Sequence, residues 1–198
     1  MRHWFPRLAA LAFVAVALSA CGVNNVPKLD EQAKAAWSQV LNQYQRRADL
    51  VPNLVETVKG YAAHERGTLE AVVEARAKAT QAQINIPADV LTNPDAFRQF
   101  QAAQAGLTGS LGRLLATVEN YPDLKASQNF ISLQSQLEGT ENRIAVARSD
   151  YIVAVQAYNT ELRTIPGRWV AAVLYPDAKV KQTFDIPVES QAAPQVKF

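Results

Sequence analysis

The stretch FISLQSQLEGTENRIAVARSDYIVAVQAYNTEL, residues 130–162, decides the fold. Within it Phe130, Leu133, Leu137, Glu141, Ile144, Arg148, Tyr151, Val155, Tyr158 and Leu162 recur at steps of three and four. That spacing places side chains on one face of an α-helix. The register holds for more than four heptads, until Ile165-Pro166-Gly167 ends it. Helices of this kind draw most of their stability from packing of the apolar face, so the stretch predicts partner helices.

The same pattern runs upstream. From about Asp30, Trp37, Leu41, Tyr44, Ala48, Val51, Val55, Val58 and Ala62 mark a first helix, widened by Leu50, Leu54 and Tyr61. Pro52 removes a backbone donor, which predicts either a kink near residues 48–52 or two shorter helices meeting there. His64-Glu65-Arg66-Gly67 is the next break, and Leu69, Val72, Val73 and Ile84 carry a second helical segment. The turn formers Asn85, Pro87, Asn93 and Pro94 close the first hairpin. A third helix carries Phe97, Phe100, Gln104, Leu107, Leu111, Leu114 and Val118, with Gly106, Gly109 and Gly112 inside it. Each glycine costs about 1 kcal/mol relative to alanine; the three either admit a neighbouring helix at close range or leave the segment soft. Asn120-Tyr121-Pro122-Asp123 stops that helix. Short connections between long helices make antiparallel neighbours. The expected fold is all-α: an antiparallel, up-and-down bundle of four principal long helices over residues 30–175, followed by an extended or disordered tail over 176–198, draped on the bundle or free.

The N-terminus predicts the compartment. Arg2 and Arg7 precede an uncharged apolar run from Leu8 to Leu18, then Ser19-Ala20-Cys21. Residues 1–20 have the layout of a signal peptide, with an apolar run too short to span a bilayer comfortably. Leu18-Ser19-Ala20-Cys21 resembles the bacterial lipobox, which makes Cys21, the only cysteine of the 198 residues, the expected lipidation (palmitate) site. Gly22 resembles the class sorted to the periplasmic face of the outer membrane in Gram-negative envelopes, in preference to the inner membrane. Residues 21–29 then read as a lipidated start and flexible leash, with two asparagines and Pro27 in it.

Two of the 20 Lys and Arg lie before Cys21, which leaves 18 basic against 18 acidic residues in the remainder. Such a balance gives no basic face for nucleic acid, so no nucleic-acid partner is expected. Catalytic chemistry finds few parts. His64 is the one histidine after Cys21 and sits between residues typical of a helix end, where a surface or capping role is commoner than that of a base. His64-Glu65-Arg66-Gly67-Thr68 lacks the second histidine of a helical zinc site, and two Glu-x-x-His motifs for a di-iron bundle are missing. Glu70 and Glu74 read as a solvated face beside Arg76 and Lys78. No catalytic residue, metal site or cofactor is expected.

Polar residues inside apolar stripes stand out instead: Arg47 in the first helix, Glu141 and Arg148 in the last. A buried charge needs a partner, so at least one interhelical pair is expected among Arg47, Asp49, Glu141 and Arg148. After the last helix, Trp169, Val170, Val173, Leu174 and Tyr175 form an apolar segment that either packs across the end of the bundle or contacts a membrane or partner.

The runs Arg46-Arg47-Ala48-Asp49-Leu50-Val51-Pro52-Asn53-Leu54-Val55-Glu56-Thr57-Val58-Lys59-Gly60-Tyr61, Glu70 to Ala77, Glu119 to Ala126, Glu138 to Arg148, Tyr158-Asn159 and Pro166-Gly167 resemble the LemA family. The resemblance reaches from about residue 30 to about 175. It implies a membrane-anchored helical bundle of bacterial envelopes with a poorly defined molecular activity and no enzymatic role. Many relatives are held by an N-terminal membrane helix where this chain has a lipobox, and some occur beside genes for TPM-domain envelope proteins, which implies a partner of that class. The resulting expectation is a non-enzymatic adaptor or scaffold. Arg46, Arg47, Asp49, Asn53, Glu141, Asn142, Arg143 and Arg148 would be its framework or contact residues. A membrane-structural or lipid-remodelling role, or a carboxylate-dependent hydrolase or metalloprotein, is the alternative. The sequence leaves the oligomeric state open.

Overall fold

The computed structural model describes residues 22–184, and Cys21 lies outside them. Every regular element among the described residues is helical: α1 (Asn25–Lys59), α2 (Arg66–Ile84), α3 (Pro94–Val118), α4 (Pro122–Lys125), α5 (Gln128–Arg163) and α6 (Gly167–Leu174). Four are long, as the stripes predict. The start of α3 shows why the chain turns where it does. Pro94 opens the helix, where its missing donor costs nothing, and the Asn93 side chain accepts from the amides of Asp95 and Ala96 at 3.1 and 3.2 Å.

Interhelical contacts fix the directions. Asn25 pairs with Glu161 and Arg47 with Glu141, so rising numbers in α1 meet falling numbers in α5. Arg76 reaches Ala48 and Gln83 reaches Leu41, which sets α2 antiparallel to α1. Trp37 meets Phe97 and Phe100, and Arg47 meets Gln104, so α3 runs with α1. The course is therefore up, down, up and down. α1 packs most extensively on α5, and α2 on α3, whereas α3 and α5 barely approach each other.

Burial follows the stripes. One apolar cluster, with Val51, Leu54, Val58, Leu107, Leu114 and Leu137, fills the end of the bundle where α1 finishes. A second, rich in aromatics, holds Trp37, Tyr44, Phe97, Phe100, Tyr151 and Phe184. A small third cluster of Val26, Tyr158 and Ala171 closes the end where α1 begins. Burying each large aliphatic side chain contributes roughly 1.5–3 kcal/mol, which is what binds helices of weak intrinsic stability into one body.

Several expectations are corrected. The leash expected over residues 21–29 is helical from Asn25, because Val26 is buried against Tyr158 and Ala171. The bundle thus begins earlier than residue 30. Of the two outcomes expected at Pro52, the division into two shorter helices does not occur: α1 continues through it, and Arg76 Nε donates to the Ala48 carbonyl at 2.8 Å. Gly106, Gly109 and Gly112 admit no neighbouring helix: all three are exposed, and a Cβ at Gly106 or Gly112 would meet nothing within 4 Å. The tail's first part is extended and packed. Lys181 and Phe184 are buried, and the Gln182 amide donates to the Leu91 carbonyl at 2.7 Å. Residues 185–198 lie outside the described residues.

Candidate functional site

Between the two large apolar clusters lies a polar layer, and Arg47 is its centre. Its helix position is one of the stripe positions, so the side chain must enter the core, where only 1% of it remains exposed. The guanidinium donates through Nη1 to Thr108 Oγ1 at 2.7 Å and to Glu141 Oε1 at 3.1 Å. Through Nη2 it donates to the side-chain oxygen of Gln104 at 2.8 Å and to that residue's backbone carbonyl at 3.2 Å. Gln104 in turn donates to the Ala79 carbonyl at 3.2 Å. One side chain therefore ties α1 to α3 and α5, and through Gln104 to α2. The ring of Tyr44 lies 5.0 Å from the guanidinium carbon. Burial raises the Tyr44 phenol above its ordinary range, against the opposing pull of Arg148 and Arg47.

Above this layer the separation of α3 from α5 leaves an open groove of about 590 Å³. Arg47, Tyr44 and Gln104 form its floor, and Arg98, Arg148 and Phe184 form its rim. Ala102 and Ala105 line its α3 wall, and a second depression of about 430 Å³ continues it past Gly112 and Leu137.

The expected ion pair is present as Arg47–Glu141. The other two charges do different things. Arg148 lies over the Phe184 ring, 4.4 Å from its centroid, so it holds the tail. Asp49 is exposed and accepts from Gln45 on its own helix at 2.7 Å. Arg46, Asn53, Asn142 and Arg143 are exposed as well, and Arg143 donates to Thr140 one turn away at 3.0 Å. Of the framework candidates, only Arg47 and Glu141 meet directly in the polar layer. The apolar C-terminal candidates divide: Trp169, Val173 and Leu174 are exposed, whereas Val170 and Tyr175 are half-buried.

Sequence reasoning missed the clasp on the tail. Asn159 accepts from the Lys181 amide at 2.8 Å and donates to its carbonyl at 2.9 Å, and Tyr151 donates to the Gln182 carbonyl at 2.8 Å. The Lys181 ammonium reaches Asp30 at 2.7 Å and sits 4.7 Å from the Tyr158 ring centroid. The only available signal was Asn159, a polar residue directly after a stripe tyrosine. Gln104 was also missed, although its place among apolar stripe residues marks it.

At the opposite end, His64 is exposed between α1 and α2. Its Nε2 lies 2.6 Å from the Tyr121 hydroxyl, which donates to Glu65 at 2.7 Å. Hydrogen bonding to Glu65 raises the Tyr121 phenol. The trio joins two interhelical turns. Among the described residues no three His, Cys, Asp or Glu side chains gather as a metal would require.

The LemA family model matches residues 36–198, which contain the whole polar layer and all of the tail clasp except Asp30. The chain belongs to the LemA family. Magnetosome proteins MamQ 2 and MamQ 1 of Paramagnetospirillum magneticum are each 27% identical over 180 residues, covering 84% of this chain and 65% of the relative. Magnetosome protein MamQ of Magnetospirillum gryphiswaldense is 25% identical with the same coverage. This LemA-family chain thus spans about two thirds of those relatives' length, just short of that fraction at 65%.

Proposed function

We propose that this LemA-family chain is a membrane-tethered, non-enzymatic adaptor of the bacterial envelope. Acylated Cys21 holds it at the periplasmic face of a membrane, and the α3–α5 groove receives an amphipathic helix of an envelope protein. The carrying observation is the groove's construction. In its floor Arg47 is bonded to Thr108, Glu141 and Gln104, and the small side chains of Ala102 and Ala105 line its α3 wall. Helix-in-groove docking uses such a surface, with an apolar helical face laid into the cleft. Gly112, exposed and without a neighbour within 4 Å of its Cβ position, lines the depression that continues the groove. A TPM-domain protein is the partner class the family resemblance implies. From the MamQ relatives only family membership is carried over.

The test is photo-crosslinking of the full chain in native membranes, with the reactive group at Ala102 or Gly112 and a control at Ala77 on the exposed side of α2. A discrete crosslinked band from the groove positions, missing at Ala77, supports the adaptor. Crosslinks to lipid alone from the groove positions overturn it in favour of a membrane-structural role.

A further inference from the structure

Eleven large hydrophobic side chains stand exposed among the described residues, and four of them, Ile165, Trp169, Val173 and Leu174, fall within one ten-residue segment. They form a patch at one end of the bundle. Trp169 is 63% and Val173 78% exposed, four residues apart on the outer side of α6, and exposed Ile165 lies just before the helix. The inner side is spoken for: Gly167 and Ala171 are buried against the bundle. Gly167 is required there, because a Cβ would overlap the Glu161 carbonyl oxygen. The outward direction of Trp169 and Val173 is therefore set by close packing of α6 on α5.

The first described residues lie beside this patch. Gly22 sits next to the Pro166 ring, and the Tyr175 hydroxyl donates to the Val23 carbonyl at 3.1 Å. Gly22 directly follows Cys21 and the apolar run that ends at Leu18. Each residue of chain spans at most about 3.6 Å, so an acyl chain on Cys21 leaves Gly22 within one residue of its attachment point. The bilayer and α6 must therefore occupy the same end of the molecule. Exposed Arg163 and Arg168 flank Ile165 and Trp169 in the chain with positive charge suited to anionic headgroups.

We propose that α6 is an interfacial docking helix whose Trp169 and Val173, with Ile165 just before it, enter the headgroup region of the membrane that holds Cys21. The occupant of this face is a lipid surface. Tryptophan suits that depth, where its ring is half apolar and half wet. The second contact matters because a lipid anchor alone leaves the bundle free to tilt about its attachment point. With two points of contact the bundle stands at a fixed angle, and the far end of α1 is carried about 50 Å away, at 1.5 Å per residue. The inference rests on the tether of the reading above.

The test uses the full acylated chain, in which Cys21 is blocked, so that a new thiol can be labelled singly. Val173→Cys carries an environment-sensitive fluorophore, and Lys125→Cys on α4, at the opposite end, is the control. Both proteins are reconstituted into phosphatidylcholine and phosphatidylglycerol vesicles with and without headgroup-quencher lipids. Both positions are exposed, so neither label disturbs the core. Several-fold stronger quenching at 173 than at 125 supports docking. Equal quenching on vesicles that still carry the protein overturns docking and leaves the tether standing. Protein that fails to float with vesicles overturns the tether and the docking with it.

Discussion

Arg76 donates to the Ala48 carbonyl, the acceptor that Pro52 leaves without its partner four residues on. A proline in a helix interior removes one hydrogen bond of the ladder and usually exposes or orphans that oxygen. Here a guanidinium from α2 replaces the missing donor, and α1 stays whole. Arg76→Ala is expected to cost about 1.5–3 kcal/mol, the range for a hydrogen bond to a charged group. In a Pro52→Ala background the new backbone N–H can serve Ala48, so the cost of losing Arg76 shrinks. Urea unfolding of the four proteins in a double-mutant cycle checks this; equal costs in both backgrounds would refute it.

The Arg47–Glu141 pair is unequal, since Arg47 is 1% and the Glu141 side chain 39% exposed. Removing the carboxylate strands a buried cation, which water cannot reach. Glu141→Leu alone should destabilise by roughly 3 kcal/mol, near the lower end for a broken buried pair. Adding Arg47→Met removes the stranded charge and should recover part of that loss. Thermal melts that show the double variant less stable than Glu141→Leu would contradict this account.

Acid should loosen the tail clasp. Burial works to lift the Asp30 carboxyl, but Lys181 and Lys34 outweigh it and hold the group below its ordinary value of 3.8. A carboxyl whose folded pKa lies below its unfolded one stabilises fully above the unfolded value, and the contribution disappears as pH falls through the folded one. The stability gap between the parent and Asp30→Asn should be flat above about pH 5 and close as the pH drops below 3.8. A gap that stays constant down to pH 2.5, followed by denaturant unfolding, would rule this out.

Phe184 packs on Trp37, Phe97 and Tyr151, with centroid separations of 6.1, 5.2 and 5.6 Å. Phe184→Ala should cost about 3–5 kcal/mol, as for a large core aromatic. It should also shift the Trp37 emission to the red in a Trp169→Phe background. Unchanged stability would show that the segment over residues 178–184 contributes nothing to the core.

The long helices were legible because a stripe of fixed period forces its own burial. The same logic exposed Arg47 and Glu141, which break the stripe with charges that cannot be left alone. Gln104 broke it too, but a neutral amide is a weaker irregularity. The clasp was illegible for another reason. Lys181, Gln182 and Phe184 sit in a segment with no period, and Asn159 meets Lys181 across 22 residues only once α5 and the tail have docked. The glycines of α3 misled because composition reports the absence of a side chain, and not whether anything fills the space. For the leash, Pro27 argued against helix, yet two residues past the helix start a proline costs almost nothing.

The main interface of the bundle joins α1 to a helix made much later, with Asn25 meeting Glu161 across 136 positions and Arg47 meeting Glu141 across 94. At about 5–20 residues per second of synthesis, the first helix waits on the order of 5–25 s for its counterpart to exist. The main interface therefore cannot close until late in synthesis, and the final shape is set only after the last long segment has emerged.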